Sequence, residues 1–365
     1  MQLKKWICGA LAGLSLLGTA VVASAKSKET VSWDVPPTLE LVAQSSYQWT
    51  GVAVSPSGRV FVCFPTWGNH PDYHVGEILS GEVYPYRDLE NQTSFICVQS
   101  VVADETNTLW VLDNGKREGS PVDPSGAKLL MVNLTTNEIV RTYTFPADVV
   151  LPDSAMNDVR VDNKRGVAYL TDSGHGGIVV LNLASGSSWR ALTDIPEVRA
   201  NLTAIYFPTG LFTKLANTDG LELSEDRKEL YFSSLGSDIL YSVPTAALLD
   251  ESLSVAQRQK QIKVINVQNV PTDGMVRRRD ALYMGALSNE GIWEFFLDET
   301  NVAEAGAILN LGKDIRWADS FALASDDSIY FTTSAVNYPV EQQPPYELYR
   351  MVWKDQKESP NPYSS

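Results

Sequence analysis

A chain of 365 residues with 44% hydrophobic and 20% charged residues, 24 glycines and 19 prolines has the composition of a packed globular protein, which excludes an extended disordered one. Lys and Arg number 29 against 44 Asp and Glu, so the formal net charge is −15 and no basic surplus exists to displace counterions from DNA, RNA or an anionic membrane. The length fits two or three ordinary domains or one large all-β domain, and internal repeats decide between them.

Residues 1–25 have the layout of a secretory signal. Lys4 and Lys5 precede a mostly apolar run from Trp6 to Val22, and Ala23-Ser24-Ala25 supplies the small-x-small pattern of a cleavage site. Polar sequence begins at Lys26, which favours cleavage over a retained anchor, and no later stretch approaches the ~18–20 apolar residues that span a bilayer. Loss of this segment, which holds two lysines and no acid, takes the formal net charge from −15 to −17. The mature chain is expected to be secreted, either extracellular or periplasmic. It retains Cys63 and Cys97, both in strand-like runs, and an oxidising compartment permits one disulfide between them. Two buried apolar thiols are the equal alternative. Sequons at Asn91, Asn133 and Asn201 are glycosylation acceptors in a eukaryotic host and carry no meaning in a bacterial one.

One pattern then recurs along the chain: a polar residue, a short alternating apolar strand, a Ser/Asp/Asn/Gly turn, and a second strand ending in small residues. It reads TGVAVSPSGRVFVCFP over Thr50–Pro65, QSVVADETNTLWVLDNG over Gln99–Gly115 and NDVRVDNKRGVAYLTDS over Asn157–Ser173. It continues as DGLELSEDRKELYFSS from Asp219, DGMVRRRDALYMGAL from Asp273 and DSFALASDDSIYFTTS from Asp319. The starts at 50, 99, 157, 219, 273 and 319 lie 49, 58, 62, 54 and 46 residues apart, and each interval holds about four strands, the length of a propeller blade. Third strands are expected at Leu129–Asn133, Ile178–Leu183, Ile239–Val243, Gly291–Phe296 and Leu348–Trp353, and fourth strands at Val140–Phe145, Ser188–Leu192 and Ile262–Val267. Thr245–Lys260 is the one helix-like stretch. The pattern predicts a single all-β domain over 26–365, a six-bladed β-propeller of four-stranded blades around a central channel. Thr38–Ser45 is expected to pair with the last blade and close the ring, and residues 354–365 form a tail.

In such a blade the innermost strand starts at one face and the second strand returns to it. The strand-one starts Thr50, Gln99, Asn157, Asp219, Asp273 and Asp319 therefore meet the loops after strand two around one opening. Those loops run from Trp67 to His74, Asp113 to Lys128, Asp172 to Gly177 and Ser334 to Tyr338, and they hold all three histidines, His70, His74 and His175. Three aspartates and an asparagine form a hard-oxygen environment suited to Ca²⁺ or another divalent cation, with Asn157, Asp219 and Asp319 as the expected ligands. Crowded carboxylates raise one another's pKa and call for a counter-charge. Turn formation by Asp-Gly pairs and a metal-free ligand site are the alternatives. His175, in Ser173-Gly174-His175-Gly176-Gly177, is the candidate general base with Asp219 beside it; an exposed His on a glycine turn is the plainer reading. Trp67, His70, Asp273 and Trp317 are candidate contacts for a small-molecule ligand. Arg277-Arg278-Arg279 reads as a solvated turn on the opposite face. No G-x-S-x-G, H-E-x-x-H, Walker loop or Cys–His nucleophile pair is present.

The Thr50–Pro65 repeat, SVVADETNTLWVLDNG at Ser100–Gly115 and AYLTDSGHGGIVVLNLASGSSWRAL at Ala168–Leu192 resemble the major royal jelly protein/yellow family. DGLELSEDRKELYFSSLGSDILYSVPT from Asp219 and DGMVRRRDALYMGAL from Asp273 extend the likeness, which covers about residues 35 to 353. The resemblance implies a secreted six-bladed propeller of a family that includes proteins tied to dopachrome conversion, binders of biogenic amines and nutritive proteins. A more distant likeness is to gluconolactonase/senescence-marker-protein propellers, which hold a divalent metal through a Glu in blade one, an Asn in blade three and an Asp in blade four. Asn157 in MNDVRVD and Asp219 in TDGLEL match the last two, while Thr50-Gly51 stands where the Glu would be. Two functions follow as expectations. One is an enzyme in which Asn157, Asp219 and Asp319 hold a metal and His175 moves a proton, for lactone hydrolysis or isomerisation. The other is a non-catalytic binder of small amines, with Asp219, Asp273 and Asp319 as charge partners and Trp67 or Trp317 stacked on the cation.

Overall fold

Short runs of alternating Val, Ile, Leu, Tyr and Phe between polar turns are strands that can be covered on both faces. In the computed structural model, which describes residues 36–86, 95–123, 125–267, 271–297 and 303–353, they form six four-stranded antiparallel sheets. Blade one holds Val52–Val54, Val60–Cys63, Val75–Leu79 and Glu82–Pro85. Blade two holds Val98–Ala103, Thr108–Asp113, Lys128–Asn133 and Glu138–Thr144; blade three holds Met156–Asp162, Val167–Asp172, Gly177–Asn182 and Ser188–Thr193. Blade four runs Thr218–Leu223, Glu229–Ser234, Ile239–Pro244 and Lys263–Val267, and blade five Met275–Arg278, Ala281–Ala286, Gly291–Leu297 and Ala303–Ile308. Blade six takes Ala318–Leu323, Ile329–Thr333 and Tyr346–Val352, and its outermost strand is Thr38–Ser45 from the other end of the chain. The innermost strands touch one another in turn, and the sixth touches the first. The propeller is therefore closed, and the closing pair runs from Thr38 opposite Val352 to Ser45 opposite Tyr346, with a bulge between Leu41 and Ala43.

The cores lie between blades. Trp110 and Leu112 of blade two pack with Val159, Leu170 and Val179 of blade three, and Val180 and Leu192 of blade three pack with Leu221 and Phe232 of blade four. Because each sheet is sandwiched by its neighbours, second strands such as Thr108–Asp113, Val167–Asp172 and Ala281–Ala286 are buried at every position.

At the axis the innermost strands come so close that two glycines are required. A Cβ on Gly220 would sit 2.2 Å from the Asp273 carbonyl oxygen, and one on Gly274 would sit 2.4 Å from that of Asp319. The Asp-Gly pairs are thus not turns: each glycine lets the next blade's backbone approach while the preceding Asp faces the opening.

Three further details refine the sequence reading. Thr245–Lys260 divides into two short helices, Thr245–Leu249 and Val255–Gln259, the second opened by a reciprocal Ser254–Gln257 cap. The Arg277–Arg279 turn is not wholly solvated: Arg278 is buried, ion-pairs with Asp327 at 2.8 Å and lies over the Trp353 ring. Cys63 and Cys97 are both buried free thiols, and burial pushes the Cys63 thiol up to about 12. Among the described residues no helix is long and apolar enough to cross a membrane. The signal-like segment 1–25, Asn91 and the 354–365 tail lie outside the described residues.

Candidate functional site

Five of the six strand-one starts, Gln99, Asn157, Asp219, Asp273 and Asp319, line one cavity of about 670 Å³. The loops after strand two add Trp67 and Asn69 from blade one, Asn114 and Lys116 to Gly119 from blade two, Ser173 from blade three and Val336 from blade six. Thr50 is the exception. Its hydroxyl donates to the Gln99 carbonyl at 2.9 Å, and its own carbonyl accepts from the Thr332 hydroxyl, so the residue ties blades together.

The three aspartates of blades four, five and six form the floor. Asp219 and Asp319 are buried and Asp273 is partly open to the cavity. The Asp219 and Asp273 carboxyls share a hydrogen bond, and Trp317 Nε1 donates to Asp273 Oδ2 at 2.6 Å. Burial pushes the Asp219 carboxyl up to about 7, and the charges of Asp319 and Asp158 add to the shift. Burial also holds Asp273 and Asp319 well above the usual carboxylate range, reinforced at Asp273 by Asp219 and at Asp319 by Asp273. No Lys or Arg ion-pairs with the three among the described residues and none is among the largest influences on them, so the floor carries acid without a paired counter-charge.

Aromatic groups stand above it. Trp317 has φ of 64°, a left-handed conformation rare for a bulky residue, and is held there by stacking on Phe207 at 5.5 Å and by the edge of Phe212 at 4.8 Å. Trp67 is fixed by donating Nε1 to Gln99 Oε1 at 3.0 Å. Phe212 belongs to a hairpin, Ile205–Phe207 with Gly210–Phe212, that leans on blade six through Thr209 Oγ1 to the Asn337 carbonyl at 3.3 Å. This hairpin lies in the longest interval between repeats, after the last strand of blade three. Its sequence signal was two apolar triplets around Pro208-Thr209, overlooked because they lie outside the blade pattern.

The structure does not bring His175 to the cavity lining. Its Nδ1 lies 3.0 Å from Asp153 Oδ1 and its Nε2 lies 3.2 Å from Asp194 Oδ1, so carboxylates engage both ring nitrogens and neither faces a ligand in the funnel. His70 is exposed, with Nδ1 against the Pro71 carbonyl at 2.8 Å, and likewise does not line the cavity. His74 is half-buried against Phe95, and burial lowers its pKa.

Sequence reasoning also missed a partly buried cation just past the strand-one starts. Arg160 bonds Asp158 at 2.9 Å and Glu222 at 3.0 Å and donates to the Met275 carbonyl at 2.7 Å, linking the innermost strands of blades three, four and five. Asp158 also accepts from Ser100 of blade two at 2.9 Å. The only available signal was strand alternation, which puts Asp158 and Arg160 on one face.

Asn157, Asp219 and Asp319 all line the cavity, as a divalent-cation site would require. Yet among the described residues no three His, Cys, Asp or Glu side chains are grouped to hold a metal, and the blade-one position is the committed hydroxyl of Thr50.

The chain was compared with known proteins. It is 28% identical over 296 residues to protein yellow of Drosophila guanche and 27% identical over 226 residues to protein yellow of Drosophila melanogaster. These alignments cover 67% and 53% of this chain, but only 50% and 40% of the relatives, so the chain spans about half the length, or less, of the curated relatives it matches. Among solved structures it is similar to a Xanthomonas campestris gluconolactonase, with a TM-score of 0.55 at 14% identity, covering 88% of this chain and 95% of that one. It is also similar to a calcium-binding regucalcin from Agrobacterium tumefaciens, with a TM-score of 0.54 at 11% identity and 88% and 98% coverage. Identities this low speak for the propeller fold alone. The family description that matches, over residues 96–332, is major royal jelly protein, and with two-thirds of the chain inside that match the chain belongs to the major royal jelly protein family.

Proposed function

We propose that the protein is a secreted binder of a small positively charged organic molecule, which enters the funnel and sets its cationic group against Asp219 and Asp273. The observation that carries this reading is the floor itself: three carboxylates from adjacent blades converge on one cavity with no basic side chain paired to them among the described residues. A cation arriving there supplies the missing counter-charge, and Trp67 and Phe212 offer aromatic surface to its apolar body, whereas Trp317 is buried behind Phe212 and acts only through its Nε1 bond to Asp273. Secretion is part of the proposal and rests on the signal-like segment 1–25. The yellow relatives support the family and not the ligand.

Titration calorimetry with a protonated aromatic amine such as benzylamine tests the reading, with CaCl₂ as a parallel titrant. The amine is expected to bind, and Asp219→Asn should weaken it by about tenfold or more, the effect of losing a charge-assisted contact. No amine binding, or equal binding by the variant, refutes the proposal. Calcium binding abolished by Asp219→Asn, with no amine affinity, would replace it with the divalent-cation reading.

A further inference from the structure

Charge in the funnel is segregated by depth. The floor is acidic and the flanks are aromatic, but the mouth carries Lys116, Arg117 and Lys214 against Glu118 alone. Arg117, Glu118 and Lys214 are exposed, and Lys116 is half-buried with Nζ 3.3 Å from the Asp153 carbonyl oxygen. This is a positive patch on a chain of formal net charge −15, so chance composition would have placed acid here. Neither Arg117 nor Lys214 forms an ion pair among the described residues, though the Arg117 charge reaches the exposed Asp123 carboxylate of the same loop, whereas the Arg side chains of the innermost strands are bonded to carboxylates.

Both loops that carry these cations are anchored. The blade-two loop is clipped by the Lys116–Val122 bridge and by the Asp123 amide donating to the Gly115 carbonyl at 2.8 Å. Gly115 itself has φ of 68°, and a Cβ there would lie 2.4 Å from the Ala127 nitrogen. Lys214 lies two residues past Phe212, so a half-buried ring and an exposed cation reach the cavity from one short segment.

We propose that the ligand is bipolar: a flat molecule with a protonated amine at one end, held at Asp219 and Asp273, and an anionic group at the other, met by Arg117 and Lys214 at the mouth. This rests on the funnel being a cation site. A simple amine would satisfy the floor and leave the mouth empty. A simple carboxylate would be attracted by the mouth and repelled by the floor. Only a molecule with both charges, separated by its length, is complementary at each end, and complementarity of this kind sets specificity and entry rate as well as affinity.

The test compares 4-(aminomethyl)benzoate, benzylamine and 4-methylbenzoate by calorimetry on the wild-type protein and on the Arg117→Gln/Lys214→Gln double variant. The zwitterion is expected to bind about tenfold more tightly than benzylamine, as one added charge-assisted contact would give, and 4-methylbenzoate to bind weakest. In the double variant the ratio of zwitterion to benzylamine affinity should fall towards one. The 2-(aminomethyl) isomer, with its two charges side by side, should lose the advantage. Benzylamine equal to or tighter than the zwitterion, a ratio unmoved in the double variant, or 4-methylbenzoate as the tightest ligand overturns the bipolar assignment and leaves the cation site standing or falling on its own result. Failure of all three probes removes the cation reading and this inference together.

Discussion

Asp219→Asn should make the protein more stable, and only above the acid range. In the folded protein burial raises the Asp219 pKa to about 7, whereas in the unfolded chain it is near 3.9. Between these values the folded state keeps a proton that the unfolded state has released. The folded state therefore binds more protons, and stability falls as pH climbs from about 4 to about 7. A gap of about three pH units at ~1.4 kcal/mol each sets a ceiling of about 4 kcal/mol on the penalty at pH 8. Relaxation and sharing of the load with Asp273 and Asp319 bring a realistic figure to about 1–3 kcal/mol. Asn is nearly isosteric, stays neutral and can donate to the Asp273 carboxylate, so it resembles the protonated wild type at every pH. Thermal unfolding of both proteins at pH 4.5, 6 and 8, in EDTA to keep divalent cations off the cluster, is the assay. The midpoints should lie within about 1 °C at pH 4.5 and separate by about 1–4 °C in favour of the variant at pH 8. An offset that is constant across pH, or a variant less stable at pH 8, would show that the floor is not an uncompensated acid cluster. A bound cation should likewise raise the wild-type midpoint more at pH 8 than at pH 5, because at low pH it must displace protons.

Other substitutions probe separate parts of the argument. Gly220→Ala should cost about 2 kcal/mol or more in chemical denaturation, since the added methyl meets a backbone oxygen at 2.2 Å, whereas Gly58→Ala, with open space but φ of 82°, should cost about 1 kcal/mol. Arg160→Met should destabilise by about 3–5 kcal/mol, because it strands Asp158 and Glu222 as uncompensated carboxylates near the axis. His175→Ala should leave ligand affinity within about twofold in calorimetry, as expected for a side chain that makes no contact with the ligand. Cys63 should resist iodoacetamide in the native protein and react once it is unfolded, followed by mass spectrometry, because its thiol is buried and raised to about 12.

The blades were legible because a propeller repeats one local pattern. Each strand-one start, hairpin turn and return strand is specified within about 16 residues, and strand alternation survives without knowledge of the partner sheet. Ring closure by Thr38–Ser45 was legible for a related reason: this strand precedes the first repeat and belongs to no blade of its own, so pairing with the last blade is what removes both exposed edges. The funnel was half legible. Topology alone placed Gln99, Asn157 and the three aspartates around one opening, since all start innermost strands. What topology cannot give is the direction of a loop side chain, and there the reading diverged. His175 turns to Asp153 and Asp194, and the hairpin that supplies Phe212 and Lys214 belongs to no blade. Arg160 was invisible for a third reason: a lone Arg in a strand looks like surface until two other strands deliver Glu222 and the Met275 carbonyl to it.

The ring of strand-one starts is chemically lopsided, and this bears on how the site can work. Blades one to three contribute Thr50, Gln99 and Asn157, while blades four to six contribute three aspartates, so one half of the floor is neutral and the other acidic. The counter-charge nearest to hand, Arg160, is already bound to Asp158 and Glu222 and aims its remaining donors at Val159 and Met275 carbonyls. Asp158 then acts on the floor with the opposite sign, adding its negative charge to the burial that raises the pKa of all three aspartates. Had evolution needed only a closed channel, apolar side chains at these positions would have packed it at lower electrostatic cost. An arrangement that spends its cation below the floor and leaves acid above it makes sense when the cation that completes the site comes from solution.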